Sequence, residues 1–344
     1  MSLKTTTKLS GSASEVIVGK VAHGIMSMTW RAQPVSDEEA FESLKASIDA
    51  AYALGVKMIV NSAEFYANDL GTGSLELLSR FFEKHPEYAD RTFLSVKGGS
   101  LPQAFGIDNS PENLRRSVNA VNAALRGKKR VDLFESARVD PKIPIEDVMT
   151  TMKSLVAEGL FDHIGISECS AETLRRAAAV APIAAAEIEV SPWSYEEETK
   201  KVLVTAQELD IAVIAYSPLG RGYLTGTIKS PEDIPEGDMR RNFTRFREEY
   251  FMVNYAIVEA LKAISEKKKI TSAQLCIAWV ATLGEKVIPL PGSSNVKRTL
   301  ENIGGGNVEL TKEEKAEIQK IIETFEVKGD RYTGMDPKVL HLWG

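Results

Sequence analysis

Cysteine is scarce: Cys169 and Cys276 are the only two in 344 residues, and they form no CxxC pair. That excludes a disulfide scaffold and a thiolate zinc ribbon, and it predicts reduced, buried thiols. The four histidines, His23, His85, His163 and His341, are scattered and no HExxH occurs, so a metal site is not expected. Long hydrophobic runs are missing as well. The apolar stretches have strand length, too short for a membrane span, and the start of the chain carries no secretory core. The expected compartment is the cytoplasm, with the nucleus left open. An excess of positive charge is also absent, since 42 Lys and Arg stand against 48 Asp and Glu for a net charge of -6. Nucleic acid is therefore not an expected partner. Finally, no GxGxxG follows an apolar run. Gly71 and Gly73 in "DLGTGSLEL" lack the third glycine and a preceding strand, which argues against a Rossmann domain.

What the chain does have is alternation. Eight short apolar runs recur: "VAHGIMSMTW", "KMIVNS", "TFLSVKG", "VDLFESA", "HIGISE", "AAAEIEV", "AVIAYSP" and "KVIPLPG". Helical patterns lie between most of them. One follows a Ser36 cap and stops near Gly55, another opens with Ser110-Pro111, and "PIEDVMTTMKSLVAEG" and "SAETLRRAAAVA" repeat the logic. Strands alternating with helices of this length give βαβ units and a parallel sheet. Eight such units predict an α/β fold, a (β/α)8 TIM barrel formed as a single domain over residues 1–344. Two pieces fall outside the repeat. The N-terminal "TKLSGSASEVIVGK" reads as a small hairpin over the barrel bottom. The stretch from Gly220 to Glu249 reads as a long loop after the seventh strand. Its Arg221, Arg240, Arg241, Arg245 and Arg247 suit a lid over an anion; a solvated surface loop is the alternative.

In such a barrel the C-terminal ends of the strands line the active-site mouth. That rule selects Asn61, Lys97, Ala137, Asp140, Ser167, Glu168, Glu187, Glu189, Tyr216 and Ser217. Beyond Asn61, in "VKMIVNSAEFYAND", stands Tyr66. A tyrosine has an ordinary pKa of ~10, and a nearby ammonium such as Lys97 lowers it. The pair would be a general acid, worth roughly 10²–10⁴-fold in rate. Carbonyl reduction needs such a donor, because the oxygen left by hydride addition must gain a proton.

The segments "NSAEFY", "SVKGG", "GISE", "AYSPLGRGYLTG" and "IPLPGSSNVKRTLEN" resemble the aldo-keto reductase superfamily over nearly the whole chain. The resemblance implies a (β/α)8 barrel that transfers hydride from NADPH, leaving NADP+. By motif position it implies Tyr66 as general acid and Lys97 as its partner, with Asn61 beside them. It places Tyr216 on the nicotinamide, and Ser217, Leu219 and Gly220 under the pyrophosphate. Ser293, Ser294, Arg298, Glu301 and Asn302 would hold the adenosine phosphate end. A guanidinium suits a 2′-phosphate, and Lys297 adds charge. Ser167, Glu168 and Glu187 would meet the carboxamide, and Trp30, Ala137 and Arg138 would line the substrate pocket.

The chain departs from the family at four positions. Asn61 stands for the usual aspartate, Ala137 for the usual histidine, Glu168 for asparagine and Glu187 for glutamine. Within the superfamily "FESARVDPKIPIEDVM", "GISECSAETLRRAAAVAPIAAAEIEVS" and "SPLGRGYLTGTIKSPEDIPEGDMR" closely resemble the fungal pyridoxal reductases, which share this arrangement. The implied reaction is pyridoxal plus NADPH to pyridoxine, of the pyridoxine 4-dehydrogenase type. A general aryl-aldehyde reductase and a non-catalytic NADPH-binding redox sensor remain open, as does the oligomeric state. Two electrostatic expectations follow. Without the aspartate, Lys97 is less neutralised and, if it stays in reach, depresses the Tyr66 pKa at least as strongly. Glu168 and Glu187, sharing the carboxamide pocket, hold one proton between them, or one of them points away and bonds backbone N–H groups instead.

Overall fold

In the computed structural model, which describes residues 3–102, 104–333, 340 and 342–344, the chain enters through an antiparallel hairpin. Its strands are β1 (Thr6–Lys8) and β2 (Ile17–Gly19). Eight parallel strands follow: β3 (His23–Gly24), β4 (Met58–Ala63), β5 (Thr92–Gly98), β6 (Leu133–Ser136), β7 (His163–Ser167), β8 (Ile183–Glu189), β9 (Ala212–Tyr216) and β10 (Val287–Leu290). Each pairs with its neighbour in sequence order. A bridge between Gly24 and Gly292 brings the two ends together, with Ala22 N to Pro289 O at 2.9 Å and Gly24 N to Pro291 O at 3.0 Å. The sheet is thus a nearly closed barrel.

The helices are α1 (Met26–Thr29), α2 (Asp37–Tyr52), α3 (Gly73–Lys84), α4 (Pro111–Leu125), α5 (Ile145–Ala157), α6 (Ala171–Val180), α7 (Glu197–Glu208), α8 (Glu248–Lys268), α9 (Ser272–Ala281), α10 (Val296–Gly305) and α11 (Lys312–Thr324). The hydroxyls of Ser36, Ser110 and Ser170 cap α2, α4 and α6 by accepting from Glu39, Asn113 and Thr173 N. The first apolar run needs a correction, since only His23–Gly24 is strand. Past Gly24 the backbone satisfies itself helically, with Met28 N to Ile25 O and Trp30 N to Met26 O both at 2.9 Å. The Gly220–Glu249 stretch is a chain of short 3-10 turns leading into α8, not a featureless loop.

Side chains of a strand alternate between faces, and that period builds the barrel interior in layers. Ile59, Phe93, Leu133, Ala185, Ile214 and Ile288 form an apolar plug, closed from below by Leu9 and Ala13 of the hairpin loop. Gly11 lets that loop approach: its φ is +52°, and a Cβ there would sit 2.7 Å from Ile183 O. Two residues further along the same faces come Asn61, Ser95, Glu135 and Glu187, all buried. A polar layer therefore sits on an apolar floor, and the mouth opens above it. His341 lies outside the described residues.

Candidate active site

Tyr66 stands in the loop after β4 and is 9% exposed. Its carbonyl accepts from Thr29 Oγ1 at 2.6 Å, and the Trp30 ring lies 5.9 Å from its own. Lys97, two residues above Ser95 on β5, brings Nζ to 5.3 Å from the Tyr66 ring centre. Nearby, Glu64 is structural: it takes Arg116 Nη1 and Ser117 Oγ, each at 2.5 Å.

Lys97 is not left without an anion. Its Nζ donates to Asn61 Oδ1 and to Glu187 Oε1, both at 2.7 Å, and Asn61 Nδ2 donates to Glu187 Oε2 at 2.6 Å. The carboxylate missing at position 61 is supplied across the barrel from β8, with Asn61 bridging. Burial works against the Lys97 ammonium, but Glu187, Tyr66 and Glu135 outweigh it and hold its pKa above the ordinary value. The expected depression of Tyr66 is overturned for the same reason. Burial pushes its phenol up and Glu187 pushes the same way, while Lys97 and Arg138 pull down without prevailing.

A second cluster fills the mouth. Glu168 accepts from Tyr216 OH at 2.6 Å and from Arg331 Nη2 at 2.8 Å. Arg331 also bonds Glu189 through Nε at 3.0 Å, and both carboxylates are fully buried. Despite burial, Arg221, Arg331 and Arg245 draw Glu189 down to about 2. Glu168 is likewise held below the ordinary carboxylate range, burial notwithstanding, by Arg331 and Arg138. Its φ is +51°, a left-handed backbone that asparagine tolerates better than glutamate. The expected proton sharing between Glu168 and Glu187 is therefore not formed. Glu168 serves the Arg331 cluster and Glu187 serves Lys97.

The other expected residues lie around these two clusters. Tyr216 OH meets Tyr332 OH at 2.9 Å, and Arg138 donates to Ala137 O at 2.6 Å and Tyr332 OH at 3.1 Å. Ala137 is buried beside them. The Ser167 hydroxyl is buried with no hydrogen-bond partner among the described residues. Ser217 has φ +52°, Leu219 is partly buried, and Gly220 approaches Trp193 so closely that a Cβ would sit 2.5 Å from its Nε1. Ser293, Ser294 and Asn302 are buried, and Glu301 is partly so. Lys297 and Arg298 are exposed in the first turn of α10.

The loop arginines do not converge on one anion site. Arg245 is buried on Trp193 O and Ser194 Oγ, Arg221 bonds Arg331 O and Glu189, Arg240 bonds Asp238, and Arg241 bonds Ile234 O. Arg221 and Arg245 fasten the loop to the C-terminal segment, through Arg331 O and Gly329 O, whereas Arg240 and Arg241 bond within the loop itself. Glu135, Arg331 and Tyr332 escape sequence reasoning. Only Glu135 carried a signal, a carboxylate inside the apolar run "VDLFESA".

Comparison with known proteins agrees with this geometry. The chain is 35% identical over 320 residues to "Probable pyridoxal reductase 2" of Schizosaccharomyces pombe, covering 92% of this chain and 95% of that protein. It is 37% identical over 269 residues to an aldo-keto reductase named for NADP(+) from the same organism, covering 75% and 77%. A glycerol dehydrogenase of Gluconobacter oxydans superposes with a TM-score of 0.77 at 22% identity, over 94% of this chain and 97% of that one, which shows the shared fold. The sequence model of the aldo/keto reductase family matches residues 20–323, and on that breadth, with these relatives, the chain belongs to the aldo/keto reductase family.

Proposed function

We propose that this protein reduces an aldehyde to an alcohol with NADPH, and that its substrate is pyridoxal. The observation that carries the reading is the buried Tyr66 beside Lys97 at the barrel mouth. Two relatives support its finer parts, one named as a probable pyridoxal reductase and one with NADP(+) in its name.

The residues present fit the cofactor. The Ser167 hydroxyl, unpartnered among the described residues, offers a donor and acceptor for a carboxamide. The first turn of α10, with exposed Lys297 and Arg298, suits a phosphate. Ser217, Leu219 and Gly220 lie between these ends in sequence and would hold the pyrophosphate. When bound, the reduced nicotinamide supplies the hydride. Tyr66 donates its hydroxyl proton to the carbonyl oxygen as charge develops there. Lys97 stabilises the phenolate that remains, and Asn61 with Glu187 fixes the ammonium in place. Ala137 stands in place of the family's usual histidine, and Trp30 beside Tyr66 and Arg138 on the Ala137 carbonyl would line the substrate pocket.

A binding-only redox sensor is the second reading, favoured by the direct neutralisation of Lys97 by Glu187. Comparing kcat/KM for pyridoxal and 4-nitrobenzaldehyde with NADPH tests both. Preference for pyridoxal is expected. Preference for nitrobenzaldehyde would make the enzyme a general aryl-aldehyde reductase. Tight NADPH binding without oxidation by either aldehyde would establish the sensor.

A further inference from the structure

One carboxyl in the polar layer has no place in the proton donation just described. Glu135 projects from β6 on the inward face, between Leu133 and Ala137, and is fully buried. Its Oε1 accepts a long bond from Ser95 Oγ at 3.4 Å, and its Oε2 has no hydrogen-bond partner among the described residues. Gly165, its register neighbour on β7, leaves the room it occupies: a Cβ there would sit 3.1 Å from Oε2 and 2.7 Å from Leu133 Cδ2. Asn61 Nδ2 links the two carboxyls, reaching Ser95 Oγ at 3.3 Å and Glu187 Oε2 at 2.6 Å.

An ionised Glu135 would be a second buried anion facing the same ammonium as Glu187, with one oxygen unpaired. Desolvating such a charge costs several kcal/mol. A buried carboxylate without its own cation takes up a proton instead. That proton turns the unpartnered Oε2 into a donor, and the Glu187 carboxylate lies within hydrogen-bonding reach.

We propose that Glu135 and Glu187 share one proton, so that Lys97 faces one negative charge rather than two, and that Glu135 is a positioning residue for the Lys97–Tyr66 couple. The groups facing it are Lys97 and Ser95 on β5, Glu187 on β8 and, past β7, the Cys169 thiol, which burial and then Glu168 push up to about 12. Burial and Glu187 hold the Glu135 carboxyl well above the ordinary range against the pull of Lys97 and Ser95. Loss of the shared proton at alkaline pH would add an anion near Tyr66 and make it a weaker acid, so reduction would slow.

The positioning role rests on Tyr66 as the donor; the shared proton does not. Infrared spectroscopy of the wild-type protein at neutral pH should show a protonated-carboxyl stretch that shifts in D2O. The band should vanish in Glu135→Gln. It should vanish in Glu187→Gln too, because Glu135 then becomes the sole counter-ion of Lys97 and ionises. No such band in the wild type would overturn the proposal without any variant, and a band persisting in Glu135→Gln would also overturn it. The alkaline fall of NADPH-dependent reduction, followed with whichever of pyridoxal and 4-nitrobenzaldehyde is turned over, should move to higher pH in Glu135→Gln, where only the ionisation of Tyr66 itself remains. An identical alkaline limb in both proteins would remove the positioning role. A band that behaves as expected in a protein inert to pyridoxal would leave the shared proton standing and defeat the pyridoxal reading.

Discussion

A buried phenol gives up its proton reluctantly, and everything around Tyr66 bears on that reluctance. Its raised pKa keeps it protonated at neutral pH, the state that reduction requires. Alcohol oxidation requires the phenolate, so the oxidation rate should still be climbing as pH passes 10, the ordinary tyrosine value. A plateau well below pH 10 would show that the phenolate forms more easily than its surroundings allow. Tyr66→Phe should lower kcat for reduction by ~10²-fold or more with little change in NADPH binding, since only the donor is lost. Turnover like the wild type's would dismiss Tyr66 as the acid. At the other end of the cofactor, Arg298→Ala should weaken NADPH by roughly 10–150-fold, the equivalent of a charge-assisted bond of about 1.5–3 kcal/mol. NADH should hardly change, because it lacks the 2′-phosphate; equal losses would move the phosphate site off α10. The meeting of Tyr66 and Lys97 was legible because the sequence puts Lys97 at the end of one strand and Tyr66 just past the end of the strand beside it. The role of Glu187 was not legible. Nothing in "AAAEIEV" says that its carboxylate crosses the barrel to Lys97 rather than reaching into the carboxamide pocket.

At the scale of elements, the strand–helix alternation was legible apart from the first run, where only His23–Gly24 is strand, because apolar runs and capping residues are local properties. Contacts of the Gly220–Glu249 stretch were not, because they are made to a segment 84 to 110 residues downstream. Thr244 N bonds Tyr332 O at 2.8 Å, Arg245 Nε bonds Gly329 O at 3.2 Å, and Arg221 Nη1 bonds Arg331 O at 2.7 Å. The loop and the C-terminal segment thus form one strap, and Arg331 pins it between Glu168 and Glu189. Arg331→Met keeps much of the side-chain volume but leaves those two buried carboxylates short of a cation. Removing one partner of a buried pair costs about 3–5 kcal/mol. Urea unfolding should show a loss of that size, and a loss under 1 kcal/mol would mean that Arg221 and Arg245 suffice for Glu189. The strained backbone of Glu168 is held by the same guanidinium, so the variant should also expose Tyr216 to solvent.

On the scale of the whole molecule, a barrel is only as sound as the seam where its first and last strands meet. Here the pairing is thin: β3 has two residues, and the seam depends on Gly24, Gly292 and a few backbone bonds. His23 reinforces it. The ring is buried, with Nδ1 paired to Ser47 Oγ on α2 at 2.8 Å and Nε2 to Ser293 O at 3.1 Å, just past β10. Burial pushes its pKa down to about 4, against the pull of Ser293. The folded protein therefore keeps His23 neutral across a window in which the unfolded chain, at the ordinary 6.5, binds a proton. The unfolded state binds more protons there, so stability rises with pH through the window. Equivalently, stability is fully present above 6.5 and is lost as pH falls toward 4. At ~1.4 kcal/mol per unit, the loss approaches about 3 kcal/mol. Urea unfolding at a series of pH values should show this decline in the wild type and a shallower one in His23→Gln, whose amide can still donate to Ser293 O but does not titrate. Ser293 belongs to the expected adenosine end of the cofactor site, so NADPH affinity should fall over the same pH range in the wild type and less in His23→Gln. Parallel acid limbs in the two proteins, for both stability and affinity, would show that the seam does not depend on a neutral His23.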